Sequence, residues 1–159
     1  MMAWPFTAEG MKEMEIKKYP NYIKGVEQKW PNVEPGSPIY ARCVQVGNML
    51  YVSGMTGQSF DTGVCDTTTA EEQTRICYDK MKMVLEEAGS SLDNLVRTLI
   101  LFTDIRRDYK AVRATELEYF KEHAPSLVDA PPASTVLEAS ALARPEFLVE
   151  IEAIAVMEQ

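Results

Sequence analysis

The sequence predicts an α+β fold: one mixed sheet with two helices on one face, in the order β-β-α-β-α-β-β. Three features carry that expectation. Two stretches, near 77–88 and 109–120, repeat apolar residues at helical spacing. A Gly47-Asn48 pair separates two strand-like runs. The final segment, LVEIEAIAV, alternates with a period of two.

Residues 1–36 read as an N-terminal extension, distinct from a domain at 37–159. The extension holds both tryptophans, Trp4 and Trp30, and four of the nine prolines, without a sustained period. It is expected to lie on the domain surface, anchored by its Trp, Tyr and Phe side chains. Ala8 to Lys18 is its one candidate helix, weakened by Gly10.

From there the elements follow in turn. Tyr40–Val46 and Met49–Ser53 form a hairpin, and a loop containing Gly54, Gly57 and Gly63 comes next. Thr69 with Glu72 three residues later is a capping box that opens a helix. Its buried face would be Cys77, Met81, Val84, Leu85 and Ala88, and Gly89 ends it. Val96–Thr103, VRTLILFT, has the near-continuous apolar run of a strand covered on both faces. A second helix, Asp108 to His123, would bury Tyr109, Val112, Tyr119 and Phe120, with Glu116 as a discordant polar member. Breaks at Pro125 and Pro131-Pro132 precede two strands, Ala133–Ser140 and Phe147–Val156. The sheet's second face is also apolar and requires a cover, for which another copy of the chain is the simplest candidate.

Composition narrows the function. With 16 Lys and Arg against 24 Asp and Glu, the net charge is −8, and no basic cluster exceeds a pair. Nucleic-acid binding depends on phosphate neutralisation, so it is disfavoured. The three cysteines show no CxxC spacing, and His123 is the single histidine. This pattern argues against a disulfide framework and a metal centre, and suits a reducing cytoplasm. No GxxxxGK[ST] or GxGxxG motif is present, so phosphate-cradling chemistry has no support. A membrane span is not expected either, since no apolar run approaches about 18 residues. A secretory leader is not expected, because no basic start precedes an apolar run.

Some residues have chemical potential. In the last strand Val149, Ile151, Ala153 and Ala155 share the face that should meet the helices, leaving Glu150 and Glu152 on the other. Carboxylates desolvated there would suit acid/base work; the plainer alternative is that both are solvated or paired. Ser53-Gly54 ends a strand, where a hydroxyl and a backbone N–H can hold a carboxylate, or simply turn the chain. Tyr40 is a core tyrosine or a pocket hydroxyl. Ser134 lacks a histidine partner in sequence. Arg113 is either solvated or, at a subunit boundary, a grip for a carboxylate.

The segments SGMTGQ after GNMLYV, EEQTRICYDKMKMVLEEAGSSLDNLVRTLILFTDI, APPASTV and VEIEAIAV resemble the YjgF/RidA family over about residues 37–157. The resemblance implies a chorismate-mutase-like fold assembled as a homotrimer, with pockets between subunits. It also implies cofactor-free hydrolysis of reactive enamines or imines to 2-oxo acids and ammonia. Relatives include 2-aminomuconate deaminase-like proteins and others described as endoribonucleases. Carried over, the pocket tyrosine is Tyr40, the Ser-Gly pair is Ser53-Gly54, and the glutamate that places water is Glu150. The family's imine deaminases carry an arginine in the strand that here reads PPASTV. Its counterpart is Ala133 when the match is anchored on STV and Ser134 when anchored on PPA, and neither replaces a bidentate guanidinium. Arg113 stands where the deaminases often have asparagine, which makes it a candidate carboxylate partner. The expectation is therefore a deaminase-like hydrolase of a small imine, enamine or related conjugated acid. Glu150 would be catalytic, with Tyr40, Ser53, Gly54, Arg113 and Ser134 binding substrate. A non-catalytic metabolite-binding trimer is the second reading, and an RNA-cleaving protein the third.

Overall fold

The computed structural model describes residues 15–30 and 36–158. A six-stranded sheet has the order β1-β4-β5-β8-β6-β7, formed by Ile16–Pro20 (β1), Ala41–Val46 (β4), Met49–Thr56 (β5), Leu95–Phe102 (β6), Ala133–Glu138 (β7) and Val149–Val156 (β8). Tyr22–Ile23 (β2) and Val26–Glu27 (β3) form a separate small hairpin. The β6–β7 pair is parallel, and all other ladders are antiparallel. Two long helices, Ala70–Glu87 (α1) and Ile105–His123 (α2), pack on one face, and a short α3, Ser126–Asp129, follows α2. From β4 onward this is the expected order.

Each element begins and ends for a local reason. Gly47 turns the β4–β5 hairpin with φ of +60°, a left-handed conformation that glycine adopts without strain, and Val46 pairs with Met49 across it. Thr69 caps α1 by accepting from the Glu72 N–H, while its hydroxyl donates to the Glu72 carboxylate at 2.9 Å. Gly89 closes α1 with φ of +83°. The second helix starts at Ile105 rather than 108, because Asp104 accepts from the Arg107 N–H and serves as its cap.

The core lies between the helices and one sheet face. Cys77, Met81, Val84 and Leu85 of α1 meet Val149, Ile151, Ala153 and Ala155 of β8, all buried as the alternation requires. In α2, Val112, Tyr119 and Phe120 are buried as expected, but Tyr109 is 43% exposed and Asp108 is buried in its stead. Glu116 is buried because it has partners. Tyr78 donates a short hydrogen bond to Glu116 Oε1, and Arg113 Nη1 pairs with its Oε2 at 2.6 Å. Burial holds the Glu116 carboxyl above its ordinary range, opposed by the Tyr78 hydrogen bond and Arg113.

Two expectations change. Strand β6 is covered on one face only within this chain: Thr98, Ile100 and Phe102 are buried, while Arg97, Leu99 and Leu101 are partly exposed. The segment Ile16–Lys18 is edge strand rather than helix, since it pairs with Val44–Val46; residues 8–14 of the expected helix lie outside the described residues. Tyr19 anchors the extension as a core residue, whereas Trp30 is 50% exposed. Trp4 and Phe6 lie outside the described residues. Among the described residues no helix is long and apolar enough to cross a membrane.

Candidate active site

Two irregularities in the sheet create the site. Opposite β8, Val52 pairs with Ala153 and Met55 with Ile151, so Ser53 and Gly54 together face the single residue Glu152. That bulge packs the Gly54 backbone against the carboxylate of Glu150. A methyl group on Gly54 would stand 1.9 Å from Glu150 Oε1, so only glycine permits the approach. The second bulge lies in β4. Tyr19 pairs with Cys43 and Pro20 with Ala41, which makes Arg42 the extra residue. The Arg42 guanidinium then reaches Glu87, the last residue of α1.

Between these bulges lies a cavity of about 390 Å³. Tyr40, Ser53, Gly54 and Glu150 all line it, so four of the six residues singled out in the sequence converge there. Its remaining walls include Asn21 and Ile23 of the extension, Arg42, Lys80, Phe60 and the turn at Arg144 and Phe147. The extension thus contributes a wall. The Lys24 N–H donates to the Phe60 carbonyl at 2.7 Å, holding the β2–β3 hairpin on the 57–64 loop. A volume of this size suits a small metabolite.

Arg113 and Ser134 are brought together, with Arg113 Nη1 donating to Ser134 Oγ at 3.3 Å, but they do not line this cavity. Ser134 sits beside Thr98 on the helix-facing side of the sheet, and Thr98 Oγ1 bonds its Oγ at 3.1 Å. The charge of Arg113 is met by Glu116. Ala133, the other counterpart of the family arginine, opens the exposed edge strand β7. His123 ends α2, its ring 4.3 Å from that of Tyr119 and remote from Glu150's cavity.

The electrostatics favour proton transfer at Glu150. Burial raises its carboxyl pKa above the ordinary value, neighbouring Glu152 raises it further, and Lys80 opposes both. Tyr40 is raised by burial and by Glu150, against a hydrogen bond with Asn21, so it stays a neutral phenol. The hydroxyl of Ser53 donates to the Ala41 carbonyl at 2.7 Å, which leaves its lone pairs for a ligand. Among the described residues no group of three or more His, Cys, Asp and Glu is placed to hold a metal ion.

The cationic wall was not singled out in the sequence, although a signal for part of it exists. Lys80 lies three residues after Cys77 and four before Val84, squarely on the apolar stripe of α1. A lysine on a buried stripe calls for an explanation.

A family model described as endoribonuclease L-PSP matches residues 34–157. A RutC family protein of Pyrococcus abyssi is 32% identical over 119 residues, covering 75% of this chain and 87% of that protein. The 2-iminobutanoate/2-iminopropanoate deaminase of Escherichia coli is also 32% identical, over 74% of this chain and 86% of its own length. Among solved structures, an Entamoeba histolytica protein described as a putative endoribonuclease L-PSP superposes with a TM-score of 0.70 at 30% identity, covering 90% of this chain and all of the other. The YjgF gene product of Escherichia coli gives 0.68 at 27% identity, covering 87% and 98%.

Proposed function

Since the chain belongs to the endoribonuclease L-PSP family, also called YjgF/RidA, we propose that it is a cofactor-free deaminase-like hydrolase of a small imine or enamine acid. The observation that carries this reading is the bulge at Ser53-Gly54, which holds a half-buried carboxylate of raised pKa against a metabolite-sized cavity. A structural glutamate would need neither the glycine nor the cavity.

The chemistry follows from the groups present. The Glu150 carboxylate takes a proton from a water molecule as the water oxygen attacks the C=N carbon, and the protonated carboxyl then passes that proton to the nitrogen. Collapse of the resulting carbinolamine breaks the C–N bond, releasing ammonia and leaving a carbonyl. A carboxyl whose pKa is raised toward neutrality can both accept and return the proton, which suits it to this task. For an enamine, the protonated carboxyl first delivers its proton to carbon, giving the imine. Tyr40, a neutral phenol in the same cavity, supplies a hydrogen bond to the substrate.

In this reading the chain works as a cytoplasmic homotrimer, in which a neighbouring copy covers the open face of β6 and β8 and the exposed edge strand β7. The test is ammonia release from freshly generated 2-iminobutanoate, with Glu150→Gln as the comparison. The expected result is acceleration that the folded variant loses by about 100-fold or more. Full activity in Glu150→Gln would remove the mechanism. Binding of 2-oxo acids without turnover of any imine would establish the second reading, a metabolite-binding protein, which the absence of an arginine at 133 or 134 favours.

A further inference from the structure

The proposed substrate is an acid, yet the strand in which related imine deaminases carry their arginine has none. The cavity itself supplies positive charge elsewhere. Arg42 is only 9% exposed and Lys80 only 6%. Both cations face the same Phe60 ring, Arg42 Cζ at 5.7 Å and Lys80 Nζ at 4.8 Å from its centroid, so they share one wall. Two buried like charges on one wall repel each other unless anions answer both.

Two anions lie near these cations, Glu87 beside Arg42 and Glu150 in the same cavity, whose charge acts on Lys80 without forming an ion pair. Glu87 pairs with Arg42 Nη2, and the Arg42 Nε–H, fully buried, has no acceptor. Lys80 donates to the Gln58 carbonyl at 2.7 Å, and among the described residues no carboxylate comes within ion-pair distance of it. Arg144, the third cation of the cavity, is half-exposed and lies 3.8 Å from Glu146. A buried donor without an acceptor and a buried ammonium without a counter-ion each cost free energy, and a carboxylate bound in the cavity would give the ammonium its counter-ion.

We infer that Arg42 and Lys80 form the carboxylate-binding pole of this cavity, holding the acid group of a small 2-imino or 2-oxo acid while Glu150 faces its C=N or C=O carbon. This rests on the hydrolase reading of the same cavity. It assigns to the β4 bulge and the α1 stripe the task that the family arginine performs from another strand. The Phe60 ring beside the two cations adds apolar surface to the pole, which strengthens charge-assisted hydrogen bonds to the ligand.

The test separates binding from turnover. Lys80→Met preserves side-chain length on an apolar stripe and removes only the charge and one hydrogen bond. Calorimetric titration with 2-oxobutanoate is expected to give an affinity about 10–100-fold weaker than for the unaltered protein. Thermal unfolding of the ligand-free variant should be equal or higher, because an uncompensated buried charge is gone. Arg42→Gln, which keeps a polar end near Glu87, is expected to weaken 2-oxobutanoate binding similarly. The methyl ester of 2-oxobutanoate should bind the unaltered protein no better than it binds Lys80→Met. Unchanged 2-oxobutanoate affinity in a folded Lys80→Met, or ester binding as tight as acid binding, would overturn the assignment. Failure of the hydrolase reading looks different: Glu150→Gln would keep its turnover, whatever Lys80→Met does to affinity. In turnover, a pole that only binds predicts that Lys80→Met raises KM for 2-iminobutanoate far more than it lowers kcat.

Discussion

Substituting Gly54→Ala puts a single methyl group into the closest contact of the cavity. The new carbon would lie 1.9 Å from Glu150 Oε1, 2.8 Å from its Cδ and 2.9 Å from its Cγ. An ordinary contact begins near 3.4 Å, so the carboxylate oxygen must retreat by about 1.5 Å. Gly54 is not among the described residues with positive φ, so alanine brings no backbone strain there and the whole effect falls on the Glu150 side chain. That side chain is only half-buried, so it can swing away, and the stability cost should sit at the low end of overpacking, about 1–2 kcal/mol. For a chain of this length that is a fall in Tm of roughly 2–8 °C. The consequence for catalysis is larger. Misplacing a proton-transfer group by about 1 Å costs on the order of 100-fold in rate, or about 2.7 kcal/mol. The assay is a double-mutant cycle, with thermal unfolding and ammonia release measured for Gly54→Ala, Glu150→Ala and the pair. With the Glu150 side chain gone the three nearest contacts of the methyl group disappear, so Gly54→Ala should become nearly neutral in the Glu150→Ala background. If Gly54→Ala destabilises equally in both backgrounds, or leaves activity intact in the Glu150 protein, the reasoning about the bulge is wrong.

Other outcomes follow from the same cavity. Because Glu150 acts when deprotonated and its pKa is raised, the acid limb of kcat/KM should lie above pH 4.5, and Glu152→Gln should move that limb downward in a pH–rate profile. The matching stability effect has a definite sign. A carboxyl raised in the folded state favours folding below its unfolded pKa and loses that contribution as pH rises through the folded pKa. Glu150→Gln should therefore gain more stability at about pH 7 than at about pH 4 in denaturant titrations. Fully buried Gln73 ties α1 to the pocket's rim, donating to the Glu146 carbonyl at 2.8 Å and accepting from the Leu148 N–H at 2.8 Å. Gln73→Leu should cost about 2–4 kcal/mol by leaving those backbone groups unpaired, and it should raise the exchange rate of the Leu148 amide.

Much of this molecule was legible because its signals are periodic and short-range. The alternation of LVEIEAIAV separates Ile151 from Glu150 by strand geometry alone, and the 77–88 spacing defines the buried face of α1 by helix geometry alone. Gly47-Asn48 and Thr69 act within a few residues of themselves, so their hairpin and cap could be read directly. Tyr109 was misread because its place on the stripe does not say where that stripe leaves the core, and the side chain emerges near the end of β6 with its ring 6.3 Å from that of Phe102.

The decisive features of the site belong to tertiary structure. A bulge exists only relative to a partner strand, so neither Ser53-Gly54 against Glu152 nor Arg42 against Tyr19 and Pro20 is a property of its own segment. The extension appeared aperiodic because the strands among its described residues are only two to five residues long, and those residues are held by pairing with β4 and by closing over Phe60. Sequence by itself determined the order of the main elements from β4 onward and the open-face position of Glu150, since both follow from backbone periods of 3.6 and 2. Only the packed chain decided that Tyr78 of α1 meets Glu116 of α2, and that Arg42 and Lys80 line the cavity. Those outcomes depend on register and contact between segments distant along the chain, which no local period encodes.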